Sequence, residues 1–251
     1  MSDWPEGYGR CLLDEVDSTL DEAARRAPTL SGPEWILAKR QTKGRGRRGR
    51  AWKEPTGNFA ATLVLRPKGP ADQVALRSFV AALAVYDACI ALCGEVPGLA
   101  LKWPNDVLFN GGKLAGILLE SAGSGNDGGV SHLSIGIGVN LIETPMQEWL
   151  EPGAVWPVSL LSETGIQVTP EVFLGELAAA YARLEAQFVT YGFEPIRTAW
   201  LSRAARLGEV VTARTMTSET EGTFETIDAS GNLVLNTAKG RISIPAADIF
   251  F

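Results

Sequence analysis

The segment from Asp72 to Gly94, DQVALRSFVAALAVYDACIALCG, constrains the fold more than any other stretch of the chain. It opens on a capping residue, carries Leu76, Val80, Leu83 and Ile90 at helical spacing, and stops at a glycine. Such a helix belongs in a core, so the rest of the chain has to supply the layers that cover it. With 251 residues, 45% of them hydrophobic, there is enough chain for one large domain, or for one domain and a small module. No apolar run approaches the roughly 20 residues that span a bilayer, and the N-terminal MSDWPEGYGR lacks the charged-then-apolar pattern of a secretion signal. A soluble, cytoplasmic protein without membrane contact is expected. Cys11, Cys89 and Cys93 form no CxxC pair and are expected to be reduced and buried.

Sheet and helix signals alternate around that helix. CLLDEV reads as an opening strand, and Asp17, Ser18 or Thr19 caps a helix beginning near Leu20. EWILAKRQ and NFAATLVLRP read as strands on either side of an arginine-rich loop. LALKWPNDVLFNGGKLAGILLES gives a strand, a proline corner and a hairpin turning at Asn110-Gly111-Gly112; the link SAGSGNDGG then leads to a partner strand, HLSIGIGVNL. Thr169-Pro170 opens a second long helix with Phe173, Leu177, Tyr181, Leu184 and Phe188 on one stripe, closed at Gly192, and FEPIRTAWLSRAARLG reads as another helix. From about Leu207 the texture changes to short strands and turns, the mark of a small all-β module. The expected organisation is one unit over residues 1–204 and a β module over 205–251.

His132 is the one histidine, which excludes a multi-histidine metal site; in the strand-like VSHLSIGIGV it is expected to be structural. The net charge of -6 argues against general nucleic-acid binding, which relies on a broad basic face. Positive charge is instead concentrated in GRGRRGR, Gly44 to Arg50, with four arginines in seven residues. Gly44, Gly46 and Gly49 satisfy GxGxxG, but AWKEPTGN follows, with Pro55 and Gly57 where the crossover helix of a dinucleotide fold would begin. The glycines instead let successive N–H groups face one anion while guanidinium groups fork onto carboxylate or phosphate oxygens. Repulsion among the arginines predicts a loop that is mobile until a polyanionic small ligand orders it.

Two further clusters and a glycine-rich strand end are candidates to converge with that loop. KWPNDV supplies Lys102, Asn105 and Asp106 at a strand end; GGKLAGILLE supplies Lys113 on the hairpin and Gly116, which permits close approach; GIGVN supplies Gly136, Gly138 and Asn140. Taken singly, each reads as ordinary turn or packing residues.

Together, DST at Asp17 to Thr19, Gln41 with GRGRRGRAW, KWPNDV, GGKLAGILLE and GIGVN resemble a biotin protein ligase, in that family's order over roughly residues 14 to 141. The resemblance implies an α+β fold: a mixed-sheet catalytic domain of the class II synthetase-like, biotin/lipoate ligase type, followed by a small C-terminal SH3-like β-barrel. It implies a two-step reaction in which biotin and ATP form biotinyl-5'-adenylate with release of pyrophosphate. A lysine of a biotin carrier domain, such as that of acetyl-CoA carboxylase, then attacks the mixed anhydride. Mg²⁺ would accompany ATP, biotin is a substrate, and no tightly bound organic cofactor is implied.

Residue by residue, the resemblance assigns Ser18, Thr19 and Gln41 to the ureido ring of biotin or to support of its pocket. Arg45, Gly46 and Arg47 would close over the carboxylate and phosphate, and Lys113 would contact the carboxylate and α-phosphate oxygens as charge develops. Lys113 is the first candidate for a catalytic residue, with Arg45 and Arg47 beside it. Asn105 and Asp106 are assigned to the nucleotide, Asp106 with an indirect role toward Mg²⁺; Trp52 to stacking near the adenine; Gly116, Gly136 and Asn140 to the adenylate site. The family usually continues DST with Asn, and this chain has Leu20, which is expected to pack against the ring's apolar side. The chain starts almost directly at the catalytic region, so no N-terminal DNA-binding domain and no DNA partner are expected. Family members can pair through sheet edges, which is compatible with a homodimer. A lipoate-type ligase and a non-catalytic biotinyl-adenylate-binding protein are the alternatives; the intact GRGRRGR and KWPND blocks favour a ligase for biotin.

Overall fold

A computed structural model of the chain describes residues 3–52, 55–124, 129–145, 155–215 and 217–250. β1 (Gly9–Leu13) and β2 (Glu34–Ala38) pair in parallel. Parallel neighbours need a crossover, which α1 (Thr19–Arg26) supplies. From β2 onward every pairing is antiparallel: β3 (Phe59–Leu65), β7 (Val130–Val139), β6 (Gly112–Ser124), β5 (Asp106–Phe109) and β4 (Leu99–Lys102) follow in that spatial order. The result is a mixed seven-stranded sheet. β5 turns into β6 through Asn110 and Gly111, whose φ values of 48° and 79° are the left-handed pair demanded by a type I′ hairpin, and Gly112 already belongs to the strand. Of the expected SAGSGNDGG link, residues 121–124 extend β6, and 125–128 lie outside the described residues.

The helix expected over 72–94 forms as two pieces, α2 (Ala71–Ala75) and α3 (Arg77–Cys93), meeting at Leu76 and ending at Gly94 with φ 77°. Its residues Val80, Leu83, Ala84 and Ala88 are fully buried. Ala71–Cys93 is long and apolar enough to cross a membrane by length and composition, which corrects the expectation that no segment approaches that mark; here its apolar surface packs on protein. α5 (Pro170–Tyr191) lies along α3, with the Thr169 hydroxyl accepting from the Val172 N–H at 3.4 Å as its cap. The predicted stripe is the face it buries. Tyr181 meets Trp35 of β2 edge-on at 5.9 Å, and Phe173 meets Phe59 of β3 at 5.0 Å, so the helix layer is fixed to the sheet by aromatic pairs. α4 (Leu160–Thr164), which the sequence reading did not include, precedes α5, and α6 (Phe193–Leu201) follows it. Cys89 is buried as expected, whereas Cys11 and Cys93 are only partly covered; all three are free thiols.

Five short strands form the second sheet: β8 (Val210–Arg214), β9 (Glu219–Ile227), β10 (Leu233–Thr237), β11 (Gly240–Ile244) and β12 (Asp248–Phe250). They pair antiparallel in the order β11-β10-β9-β8-β12. Contacts to β4, to the KWPND corner and to the α2–α3 helix fasten this sheet and its leading segment. Leu101 exchanges backbone hydrogen bonds with Arg203 and Ala205, both at 2.8 Å. The indole N–H of Trp103, whose bond to Pro104 is cis, donates to the Gly231 carbonyl at 3.0 Å. Gly231 itself sits so close to α3 that an added Cβ would fall 2.9–3.0 Å from Leu76 and Phe79.

Candidate functional site

One face of the main sheet, the start of α1, the loop 44–52 and Asp248 of β12 enclose a cavity of about 740 Å³ including its open mouth. α1 begins where Ser18 adopts extended backbone and its hydroxyl accepts from the Leu20 N–H at 3.3 Å. Ser18 is therefore a capping residue, 1% exposed, and stands behind the cavity wall. Thr19 and Leu20 do reach the wall, beside Gln41. The backbone N–H and the hydroxyl of Thr19 both donate to Gln41 Oε1, at 2.9 and 3.0 Å. Leu20 covers Gly136 of β7, where a Cβ would come within 3.0–3.1 Å of three of its carbons.

The arginine loop doubles back on itself: the Gly46 N–H donates to the Arg50 carbonyl at 2.7 Å, and the Trp52 N–H to the Gly44 carbonyl at 3.0 Å. Its four positive charges are met by carboxylates of the protein. Arg45 forks onto Asp21 at 2.9 Å and onto Glu120 at 2.8–3.0 Å. Those bonds, Glu120 first, hold its guanidinium above the ordinary arginine range. Arg48 at 2.7 Å, Arg50 at 3.3 Å and Arg47 at 3.5 Å share the single carboxylate of Asp248. Carboxylates from α1, β6 and β12 thus offset the charge of the loop within the fold. Burial lowers the Arg47 pKa, opposed by Asp248 and Asp106. Trp52, at the end of the loop, lies across Gly116 and Gly138: a Cβ on Gly138 would fall 2.5–2.7 Å from its indole atoms.

Opposite the loop, Lys113 Nζ stands 2.7 Å from Asp106 Oδ1 and 5.7 Å from the centre of the Trp52 ring. The carboxylate contact is an ion pair by distance; Oδ1 is buried and makes no aligned hydrogen bond. The backbone of Lys113 is held on both sides, donating to the Trp156 carbonyl at 2.7 Å and accepting from the Val158 N–H at 3.0 Å. Asn105 clips the corner to β6 through its side-chain amide, which donates to the Ile117 carbonyl at 2.6 Å, and accepts weakly from Arg47 at 3.4 Å. Asn140 also stands behind the wall. Its amide donates to the Val158 carbonyl at 3.1 Å and the Lys113 carbonyl at 3.4 Å, so it braces the strand that carries Lys113 and lies off the cavity wall.

Of the candidate residues, Thr19, Leu20, Gln41, Arg45, Gly46, Arg47, Trp52, Asn105, Asp106, Lys113, Gly116 and Gly136 line the cavity. It left out Asp248, which arrives from the far end of the chain, and Ile117, Leu118 and Ile137, strand residues with no signature of their own. Lys102, of the KWPNDV block, is 8% exposed, and burial lowers its pKa against the pull of Asp106. His132 is partly buried on β7 beside Ser131, away from this wall.

An apolar slot edged by hydroxyl and amide groups that runs into a cluster of cations suits a ligase that joins a small acid to a nucleotide phosphate. The chain belongs to the Biotin/lipoate A/B protein ligase family, whose profile matches residues 11–140; residues 207–251 match the Biotin protein ligase C terminal domain. A biotin--[acetyl-CoA-carboxylase] ligase of Paracoccus denitrificans is 59% identical over 96% of this chain and 99% of its own. The bifunctional ligase/repressor BirA of Bacillus subtilis is 31% identical over 95% of this chain and 73% of its own. A biotin protein ligase from Aquifex aeolicus, solved in complex with biotin and ATP, matches with a TM-score of 0.82 at 27% identity, covering 96% of this chain and 97% of that one.

Proposed function

We propose that the chain joins biotin to ATP in this cavity, releases pyrophosphate, and passes the biotinyl group to a lysine of a biotin carrier domain such as that of acetyl-CoA carboxylase. The observation that carries this reading is the convergence of Thr19, Gln41, Arg47, Asp106, Lys113 and Gly136, from five separate stretches of sequence, on one wall. In the first step a biotin carboxylate oxygen attacks the α-phosphorus and the bond to pyrophosphate breaks. Two anions must approach, so the barrier is mostly electrostatic and positional. Lys113 and Arg47 supply fixed positive charge where it is needed, and Asp106 holds the Lys113 ammonium in place. Arg45, clamped by Asp21 and Glu120, acts through the loop backbone it anchors, with Gly46 leaving room for close approach. In the second step the carrier amine attacks the acyl carbon, a proton leaves the nitrogen, and AMP departs. Trp52 and the loop shield the adenylate from water in the interval.

Mg²⁺ would accompany ATP. The carboxylates on the wall are Asp106 and Asp248, and among the described residues no three His, Cys, Asp or Glu side chains form a cage. That donor set fits Mg²⁺, which takes one or two carboxylates and completes its shell with phosphates and water. Asp106 would hold it, and the ion would neutralise phosphate charge. The same reading treats residues 1–204 as the catalytic unit and 205–251 as an accessory module of a cytoplasmic enzyme. Incubation with ATP, Mg²⁺, biotin and a carrier domain, followed by mass measurement, tests it: one biotin on one carrier lysine is expected. An unmodified carrier, or lipoate taken in preference, overturns it.

A further inference from the structure

Behind the cavity wall lies a chain of hydroxyl groups whose polarity is fixed by one donor. The Thr19 backbone N–H can only donate, so the Gln41 atom it meets at 2.9 Å is the amide oxygen. Oε1 also receives the Thr19 hydroxyl proton, at 3.0 Å. Having given its one proton away, Thr19 Oγ1 turns acceptor, and the hydroxyl of Thr62 donates to it at 2.8 Å. Thr62 sits in the middle of β3, is fully buried, and lies off the cavity wall.

We infer that Thr62 is a positioning residue for ligand recognition, setting the orientation of the Gln41 amide through Thr19. With its oxygen held by two donors of Thr19, the group Gln41 turns the other way is its NH₂, which lies against Gly44 at the root of the arginine loop. Thr19 and Gln41, both on the cavity wall, are thereby held in one mutual arrangement from behind by Thr62. A buried hydroxyl aimed at a second hydroxyl on an otherwise apolar strand is otherwise unexplained by packing, since valine has the same shape and needs no partner. This inference rests on the reading of the cavity as a biotin site.

Biotin affinity, measured by calorimetry, and biotin KM and kcat test it on Thr62→Val, Thr62→Ala, Thr62→Ser and Gln41→Ala. Thr62→Val should weaken biotin about three- to tenfold, the worth of one hydrogen bond, with kcat at saturating biotin within about twofold. Thr62→Ala, which reports if the valine variant does not fold, should show the same loss, and Thr62→Ser should restore wild-type affinity. In a Gln41→Ala background, Thr62→Val should cost nothing further, because the two act as one unit. Unchanged affinity in Thr62→Val and Thr62→Ala, or equal loss in Thr62→Ser, overturns the inference and leaves the site reading intact if Gln41→Ala still weakens biotin. If Gln41→Ala binds biotin as the wild type does, the site reading falls and the inference with it.

Discussion

The ammonium of Lys113 stands 2.7 Å from the carboxylate of Asp106, across the hairpin that joins β5 to β6. The two side chains come from strands whose register is fixed by a two-residue turn, so the pair is built into the backbone. Lys113→Ala should lower biotin-dependent pyrophosphate release by about 10²- to 10³-fold, the usual loss for a fixed donor at developing charge. Its melting temperature should fall by a few degrees, because the largely buried Asp106 carboxylate loses the ammonium beside it, so circular dichroism at the assay temperature checks that the variant is folded. Rapid pyrophosphate assays on both proteins check it; equal rates would remove Lys113 from the chemistry.

Gly138 exists for Trp52. An alanine there would place its methyl carbon 2.5–2.7 Å from the indole, and the ring must move. Gly138→Ala is expected to raise the KM for biotin about tenfold and to let the adenylate hydrolyse, since Trp52 forms part of the wall. Trp52→Ala should make the glycine substitution nearly silent. Steady-state kinetics on the single and double variants would show that non-additivity.

Asp248 ties three arginines of the loop to β12. With asparagine there, one negative charge no longer offsets three positive ones, and the loop loses its far anchor. Asp248→Asn should be cut by trypsin within GRGRRGR several-fold faster than wild type, while peptide bonds in β3 and β6 stay protected. Timed digestion with mass readout of the fragments decides it.

Lys102 gives a pH-dependent prediction. Burial lowers its pKa, so the folded protein releases that proton at a lower pH than the unfolded chain does. The charged form is a cost fully present below the folded pKa, and it is relieved as pH rises through the folded value toward the unfolded one. Lys102→Met should therefore melt a few degrees higher than wild type at pH 7, and the advantage should shrink through that window. Melting curves from neutral to alkaline pH would reveal the convergence, and a lower melting temperature at pH 7 would contradict it. Adenylation should weaken in the same variant, since the lysine sits within the field of Arg47, Asp106 and Lys113.

Local chemistry explains what the sequence disclosed. The Asn110-Gly111 turn, the Ser18 cap and the Thr169-Pro170 start are each settled by neighbours a few residues apart, and the structure has them where they were expected. The glycines of GIGVN show how ordinary packing and a binding wall coincide: Gly136 and Gly138 make room, and what fills the room is Leu20 and Trp52. Non-local contacts were not legible. Asp248 meets Arg48 across 200 residues, and nothing in PAADIFF distinguishes it from a surface acid. Thr62 looks like any β-branched residue in NFAATLVL until the fold brings Thr19 beneath it. The partners of the arginines were not legible for the same reason, because Asp21, Glu120 and Asp248 are distant in sequence from them.

The turn between β9 and β10, Ala229-Ser230-Gly231-Asn232, has the composition of a tolerant insertion point, where an epitope tag or a reporter would ordinarily be spliced. Its third residue accepts the Trp103 indole proton and is wedged against Leu76 and Phe79. A splice there would act as a wedge under the KWPND corner and shift Asp106 away from Lys113, producing a soluble but inert fusion. The exposed turn at Ala238 and Lys239, between β10 and β11, offers the same accessibility with no such anchorage, and is the place to label this protein.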